Sequence, residues 1–184
     1  MSSSRLIFCA MFCMVGIDVS ADSEAMPMPK VFAARTNAFY FKLIPAADFD
    51  EEKSEGFLYR VTDTVDELVY RSDGWYSFDV FVSYDGSYLA RSGPWPRHDS
   101  PPETMPAVVF YADGKPVKTY YVSDLVKDEL KLQHSISHYS WGNSLRWAED
   151  YSPDILEVRT VEDRTIKFDI RSADIVGDPP MNAN

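Results

Sequence analysis

The stretch Phe78-Asp-Val-Phe-Val-Ser-Tyr-Asp-Gly-Ser-Tyr-Leu-Ala-Arg91 decides the fold together with Ala107-Val-Val-Phe-Tyr-Ala-Asp-Gly-Lys-Pro-Val-Lys-Thr-Tyr-Tyr-Val122, which follows it after a proline-rich interval. Each half carries two apolar, β-prone segments on either side of an Asp-Gly pair. A hairpin turn needs positive φ, which Gly reaches without steric cost and Asp tolerates, so each half reads as two antiparallel strands. Pro116 has no N–H to give a ladder and must stand where none is required. The order of strand, turn, strand, loop, strand, turn, strand resembles one four-stranded blade of a β-propeller.

Working outward, two further segments line up with this one. Phe57-Leu-Tyr-Arg-Val61 leads through a polar turn to Glu67-Leu-Val-Tyr-Arg71, and Ile155-Leu-Glu-Val-Arg159 leads to Thr165-Ile-Lys-Phe-Asp-Ile170. From Phe57 to Ala107 is 50 residues and from Ala107 to Ile155 is 48, a spacing within the range of propeller blades. The expected fold is all-β, with antiparallel hairpins forming propeller-blade-like sheets, one clear and two partial units. Any all-β meander also yields hairpins at this interval, and propellers close with four or more blades. A ring would therefore be open, completed by pairing, or absent.

One short helix is expected near 124–132, where Ser123 could cap its first turn and Asp124 would favour the positive end of the dipole. Residues 93–106 hold five prolines and read as a long, stiffened loop. The expected organisation is a signal peptide over 1–21, a disordered linker over 22–30, a single β-rich domain over 31–176 and a disordered tail over 177–184.

Val82-Ser-Tyr-Asp-Gly-Ser-Tyr-Leu89, Val108-Val-Phe-Tyr-Ala-Asp-Gly-Lys-Pro-Val-Lys118, Ser123-Asp124-Leu125 and Ser135-Ile-Ser-His138 with Trp141 together resemble a group of exported bacterial proteins with propeller-like blade motifs. The resemblance spans roughly residues 78–176 and implies a β-rich exported protein. It implies no activity, because that group offers no reaction, ligand or catalytic residue to carry over.

Export is also read from the N-terminus. Arg5 precedes the unbroken apolar run Leu6-Ile-Phe-Cys-Ala-Met-Phe-Cys-Met-Val-Gly-Ile17, which closes on Val19-Ser20-Ala21, small residues suited to a signal peptidase. The run is well short of the roughly 20 residues needed to span a bilayer, so no membrane span is expected after cleavage. Both cysteines, Cys9 and Cys13, lie inside it, and the mature periplasmic or secreted chain would hold its core without disulfides. The net charge of −11, with no Lys/Arg cluster to offset it, disfavours nucleic acid and suits solubility, a cationic ligand or a basic protein partner.

Catalytic motifs are missing from the sequence: there is no Gly-x-Ser-x-Gly elbow, Ser-x-x-Lys pair, phosphate loop or dinucleotide fingerprint. No cofactor and no metal site is expected. His134-Ser-Ile-Ser-His138 has i, i+4 spacing but lacks a zincin Glu, and its alternation also suits a strand. The remaining candidates are Trp95, Arg97, His98 and Asp99 in the proline-rich loop, where a Trp held by prolines could anchor a sugar face or a protein. The competing expectation is that Trp95 folds back over an open sheet edge. The expected function is an acidic, non-enzymatic module that binds a protein or associates with itself. The alternative is an envelope hydrolase or carbohydrate-binding module using the 93–106 loop.

Overall fold

Hydrophobic alternation builds three antiparallel meanders in chain order in the computed structural model, which describes residues 25–48, 50–149 and 154–177. The expected signal peptide lies outside those residues, as do 22–24 of the expected linker and 178–184 of the expected tail. Ahead of the first strand, the Met28 N–H donates to the Tyr76 hydroxyl at 3.1 Å, and that hydroxyl donates to the Met28 carbonyl at 3.0 Å.

The first sheet orders β1 (Lys30–Ala33), β2 (Phe39–Ile44), β3 (Glu55–Arg60) and β4 (Glu67–Arg71) side by side. The second orders β5 (Val80–Val82), β6 (Tyr88–Ser92), β7 (Pro106–Ala112) and β8 (Lys115–Tyr121). After α1 (Val122–Leu125), a two-stranded ribbon pairs β9 (Gln133–His134) with β10 (Tyr139–Ser140). The third sheet orders β11 (Arg146–Trp147), β12 (Ile155–Arg159) and β13 (Thr165–Asp169), and an antiparallel bridge joins Phe168 to Ile175. The fold is mostly β, in antiparallel sheets.

Both hairpins of the second sheet lie where the Asp-Gly pairs place them, with different loops. Ala112 pairs with Lys115, leaving Asp113 (φ 47°) and Gly114 (φ 79°) as a two-residue turn with positive φ at both positions. The other loop is longer, because Ser83 closes it with its own side chain. Its hydroxyl accepts from the Tyr88 N–H at 3.0 Å and donates to Asp85 Oδ1 at 2.9 Å, and of these loop residues Gly86 alone takes positive φ. Pro116 sits on the edge strand β8 beside a register shift, where its missing donor breaks no ladder.

The second sheet is central and covered on both faces, which explains the unbroken apolar run Ala107–Tyr111. Val80, Val82, Leu89, Val109 and Tyr111 face the first sheet, packing with Phe41, Leu43 and Leu58. Trp75 fills that layer, stacked on Phe41 at 5.4 Å between ring centroids and tilted against Tyr111 at 5.2 Å. Ala90, Val108, Phe110 and Tyr120 face the third sheet, meeting Leu156, Val158, Ile166 and Phe168. Each large side chain fully buried this way contributes roughly 1.5–3 kcal/mol.

The helix is shorter than the sequence predicts. Lys127 and Asp128, whose N–H groups a continuous helix would use, donate instead to Glu162 Oε1 at 3.2 and 2.9 Å. Asp128 then caps a separate 3-10 turn over Glu129–Lys131. At the helix start Ser123 is not the cap. The Tyr121 N–H donates to Asp124 Oδ2 at 2.8 Å.

Candidate functional site

The proline-rich loop is docked on the β9–β10 ribbon. The Gly93 N–H donates to the Ala107 carbonyl at 2.9 Å and closes the loop base. Further along, Arg97 bridges His138, the His98 N–H donates to the Ser137 carbonyl at 3.1 Å, and the Tyr139 N–H donates to the Pro96 carbonyl at 3.0 Å. The prolines hold the loop extended so that it adds to the ribbon as a third, irregular strand.

Docking separates the four residues that the sequence groups together. Cross-strand pairing sets Tyr139 opposite His134, and alternation turns His138 to the other face. Half-buried Trp95 meets His138 edge-on, with ring centroids 4.5 Å apart. The two line an open cleft of about 240 Å³ with Trp141, Asp79, Asn143 and Ser144. His98 instead tilts against His134 at 5.3 Å, and His134 against Tyr139 at 5.6 Å. These rings share a second cleft, of about 250 Å³, with Asp99 and Glu129. Arg97 is exposed and contributes its backbone.

The turn between β9 and β10 explains the histidine spacing. Ser135 lies 2.7 Å from His138 Nδ1 through its hydroxyl and accepts from the His138 N–H at 3.2 Å, closing the turn and fixing the ring. His134 and His138 thus stand on opposite faces of a hairpin instead of one helical face. Among the described residues no three His, Cys, Asp or Glu side chains are grouped to hold a metal ion.

A third surface was missed in the sequence. Phe41, Leu43 and Leu58 point into the core, so their neighbours Tyr40, Lys42, Phe57 and Tyr59 point outward from the first sheet. Register adds Val31 opposite Lys42 and Leu68 opposite Tyr59. Tyr40 and Tyr59 stack at 5.2 Å, and the Arg71 guanidinium lies 4.9 Å over Phe57. Val31 is 62% exposed and Leu68 52%, while Val61, Val65 and Val69 extend the apolar surface along the β4 edge. Carboxylates rim this face: Asp66 accepts from the Tyr40 hydroxyl at 2.9 Å, and Glu55 pairs with Arg71 at 2.7 Å. Burial and then the Asp66 hydrogen bond and charge raise the Tyr40 phenol above its ordinary value. The outward face of the third sheet differs. Arg146 is paired with buried Glu157 at 2.7 Å there, beside exposed Arg159 and Thr165. The signal for the first sheet was aromatic residues at successive positions in Phe39-Tyr-Phe41 and Phe57-Leu-Tyr59, which give a strand two apolar faces.

No protein-family model matches the chain, and comparison with curated proteins yields no match.

Proposed function

We propose that this chain is an exported, non-enzymatic binding module, made of three blade-like meanders in an open stack, that holds a basic protein partner on the outer face and β4 edge of its first sheet. The observation that carries this reading is the aromatic face itself. The same kind of surface is covered by another sheet elsewhere in the stack, yet among the described residues no sheet packs over Tyr40, Phe57, Tyr59, Leu68 and Val31. An exposed apolar patch with a polar rim marks a place where a partner sits.

Charge selects the partner. The chain carries −11; beside the face Asp63 and Asp66 join no ion pair among the described residues, while Glu55 and Asp73 pair with Arg71 and Glu67 pairs with Arg60. A basic protein is steered towards such a rim, whereas a second copy of this acidic chain is repelled. Size sets the strength. Four strands of four to six residues, about 4.8 Å apart at about 3.4 Å per residue, present roughly 340 Å². That is less than half of what one side of a standard interface buries, so the complex is transient.

The test is a photo-reactive residue, Leu68→p-benzoylphenylalanine, in the producing cell, compared with the same residue at Thr165 on the outward face of the third sheet. The expected result is one adduct with a basic protein from position 68 and none from 165. An adduct from 165 alone, none from either position, or an adduct with the mass of two chains overturns the reading. A second reading, glycan binding, is favoured by Trp95 and Trp141 sharing a cleft with Asp79, Asn143 and Ser144, which combines ring faces with hydrogen-bonding groups.

A further inference from the structure

We infer that the cleft walled by Trp95 and Trp141 binds a glycoside, with its pyranose beside Asp79 and an apolar aglycone carried across Trp95 into the neighbouring cleft beside Phe78. The inference rests on the glycan reading of this cleft and adds the second half of the ligand. It is separate from the aromatic face of the first sheet.

The starting observation is that two clefts of different chemistry share one wall. The cleft of about 240 Å³ adjoins one of about 250 Å³, and Asp79 with residues 92–95 lines both. Each falls below the roughly 300–1,000 Å³ of a small-molecule site, and joined across Trp95 they reach it. Asp79 faces the first cleft for a reason set by the strand. The Ser92 N–H donates to the Asp79 carbonyl at 3.2 Å, so pairing of β5 with β6 continues to this residue. Val80 faces the first sheet and Phe81 the third, and alternation turns the Asp79 side chain with Phe81, towards Trp141, Asn143 and Ser144.

Unused hydrogen-bonding groups choose the sugar. Ser77 and Ser92 take up the Asp79 backbone, while its carboxylate has neither a hydrogen bond nor an ion pair among the described residues. The indole N–H groups of Trp95 and Trp141 are likewise without a partner. An anion is repelled by Asp79, and an ammonium has nothing to offer the indole donors. Hydroxyl groups donate to the one and accept from the others, and Asn143 and Ser144 at the rim do both. Such hydroxyls around a ring with flat C–H faces, matched to an indole, describe a pyranose. Beyond Trp95 the polar groups are already spent. The Tyr76 hydroxyl is held by the Met28 backbone, and the Ser77 hydroxyl donates to the Asp79 and Ser92 carbonyls. Pro27, Phe78 and Pro94 leave that side apolar, so it takes a hydrocarbon substituent and not a second sugar.

The test titrates the purified chain with methyl β-D-glucoside, hexyl β-D-glucoside below its micelle-forming concentration, and 1-hexanol, following the Trp95 and Trp141 indole N–H resonances by NMR. The glucosides carry their ring substituents equatorially, which leaves the C–H faces flat. The expected result is a saturable shift of both indoles by hexyl glucoside below ~10 mM, with methyl glucoside binding at least ten-fold more weakly and hexanol not shifting Trp141. Asp79→Asn should weaken both glucosides at least five-fold and melt as the parent does, since its carboxylate has no partner to lose. Pro27→Asp, ahead of the first strand, should cut the advantage of hexyl over methyl glucoside below three-fold. Equal affinity for the two glucosides overturns the inference and leaves the glycan reading standing. No shift of either indole by hexyl glucoside at ~10 mM overturns both. Hexanol acting as well as hexyl glucoside, or Asp79→Asn binding unchanged, shows an apolar pocket without a sugar site and overturns both as well.

Discussion

Gly114 is where the second sheet touches the first, and replacing it with alanine separates backbone strain from inter-sheet packing. Gly114 has φ +79°, and a Cβ built on it would stand 2.3 Å from the Arg71 carbonyl oxygen and 2.9 Å from Tyr70 Cδ2. Gly74 supplies the comparison, with φ +84° and its nearest neighbour, the Glu52 carbonyl oxygen, at 3.8 Å. Gly74→Ala should cost about 1 kcal/mol, the strain of placing an L side chain at positive φ. Gly114→Ala carries the same strain and a backbone clash. The hairpin must retreat from the end of β4 by about 1 Å to restore normal contact, and overpacking of this kind costs about 1–3 kcal/mol more. The total for Gly114→Ala is therefore about 2–4 kcal/mol. Urea unfolding of both variants reads the difference, and in a chain of this size each kcal/mol moves the melting temperature by about 2–4 °C. If the two variants lie within about 0.5 kcal/mol of each other, the Asp113-Gly114 turn does not abut the first sheet and the stacking described above is wrong.

Trp95→Ala should lower stability by about 1–3 kcal/mol, less than the 3–5 kcal/mol of a fully buried aromatic, because the ring is half-exposed against His138. Chemical denaturation checks it, and a loss above about 4 kcal/mol would make Trp95 a core residue. Two carboxyl groups predict the acid limb of stability. Burial works against ionised Asp85, but hydrogen bonds from the Ser87 N–H and the Ser83 hydroxyl, with the Arg171 charge, outweigh it and hold the group below its usual 3.8. Burial likewise opposes Glu162, and the Asp128 and Lys127 N–H groups with Arg164 hold it below its usual 4.5. A carboxyl whose folded value is depressed stabilises the fold fully above its unfolded value and loses that contribution as pH falls through the folded one. Melting between about pH 7 and pH 2 should therefore show stability falling below about pH 4.5, with a shallower fall in Asp85→Asn and Glu162→Gln; limbs parallel to the parent's would refute the linkage. Mass spectrometry of the exported product should find a new N-terminus at Asp22, whereas an intact N-terminus held in a membrane would remove the export reading.

Much of the fold is legible because the turns announce themselves. Asp85-Gly86 and Asp113-Gly114 locate four strands, and the β-rich segments at Phe57, Glu67, Ile155 and Thr165 locate four more. The first two strands were not read, because their connection, Ala34 to Ala38, carries no Gly; Asn37 supplies the positive φ there at 56°. The helix was overextended because its competing acceptor, Glu162, lies 35 residues away from Lys127 and no local pattern reveals it. The four loop residues were read as neighbours in one stiffened loop, whereas β pairing sends Trp95 and His98 into different clefts. The aromatic outer face was hidden for a related reason. Tyr40, Phe57 and Tyr59 look like core when a strand is read alone, and the register of a whole sheet is needed to show that they share its outward face.

The most direct measurement is the affinity of the partner captured at position 68 for three purified forms: the parent chain, Leu68→Lys and Trp95→Ala. If the first sheet holds the partner, the parent binds in the micromolar range and weakens with added salt, Leu68→Lys binds at least ten-fold more weakly, and Trp95→Ala binds as the parent does, the pattern of an apolar anchor inside an acidic rim. The reverse pattern, with Trp95→Ala binding ten-fold more weakly and Leu68→Lys unchanged, would contradict the account and move the site to the proline-rich loop.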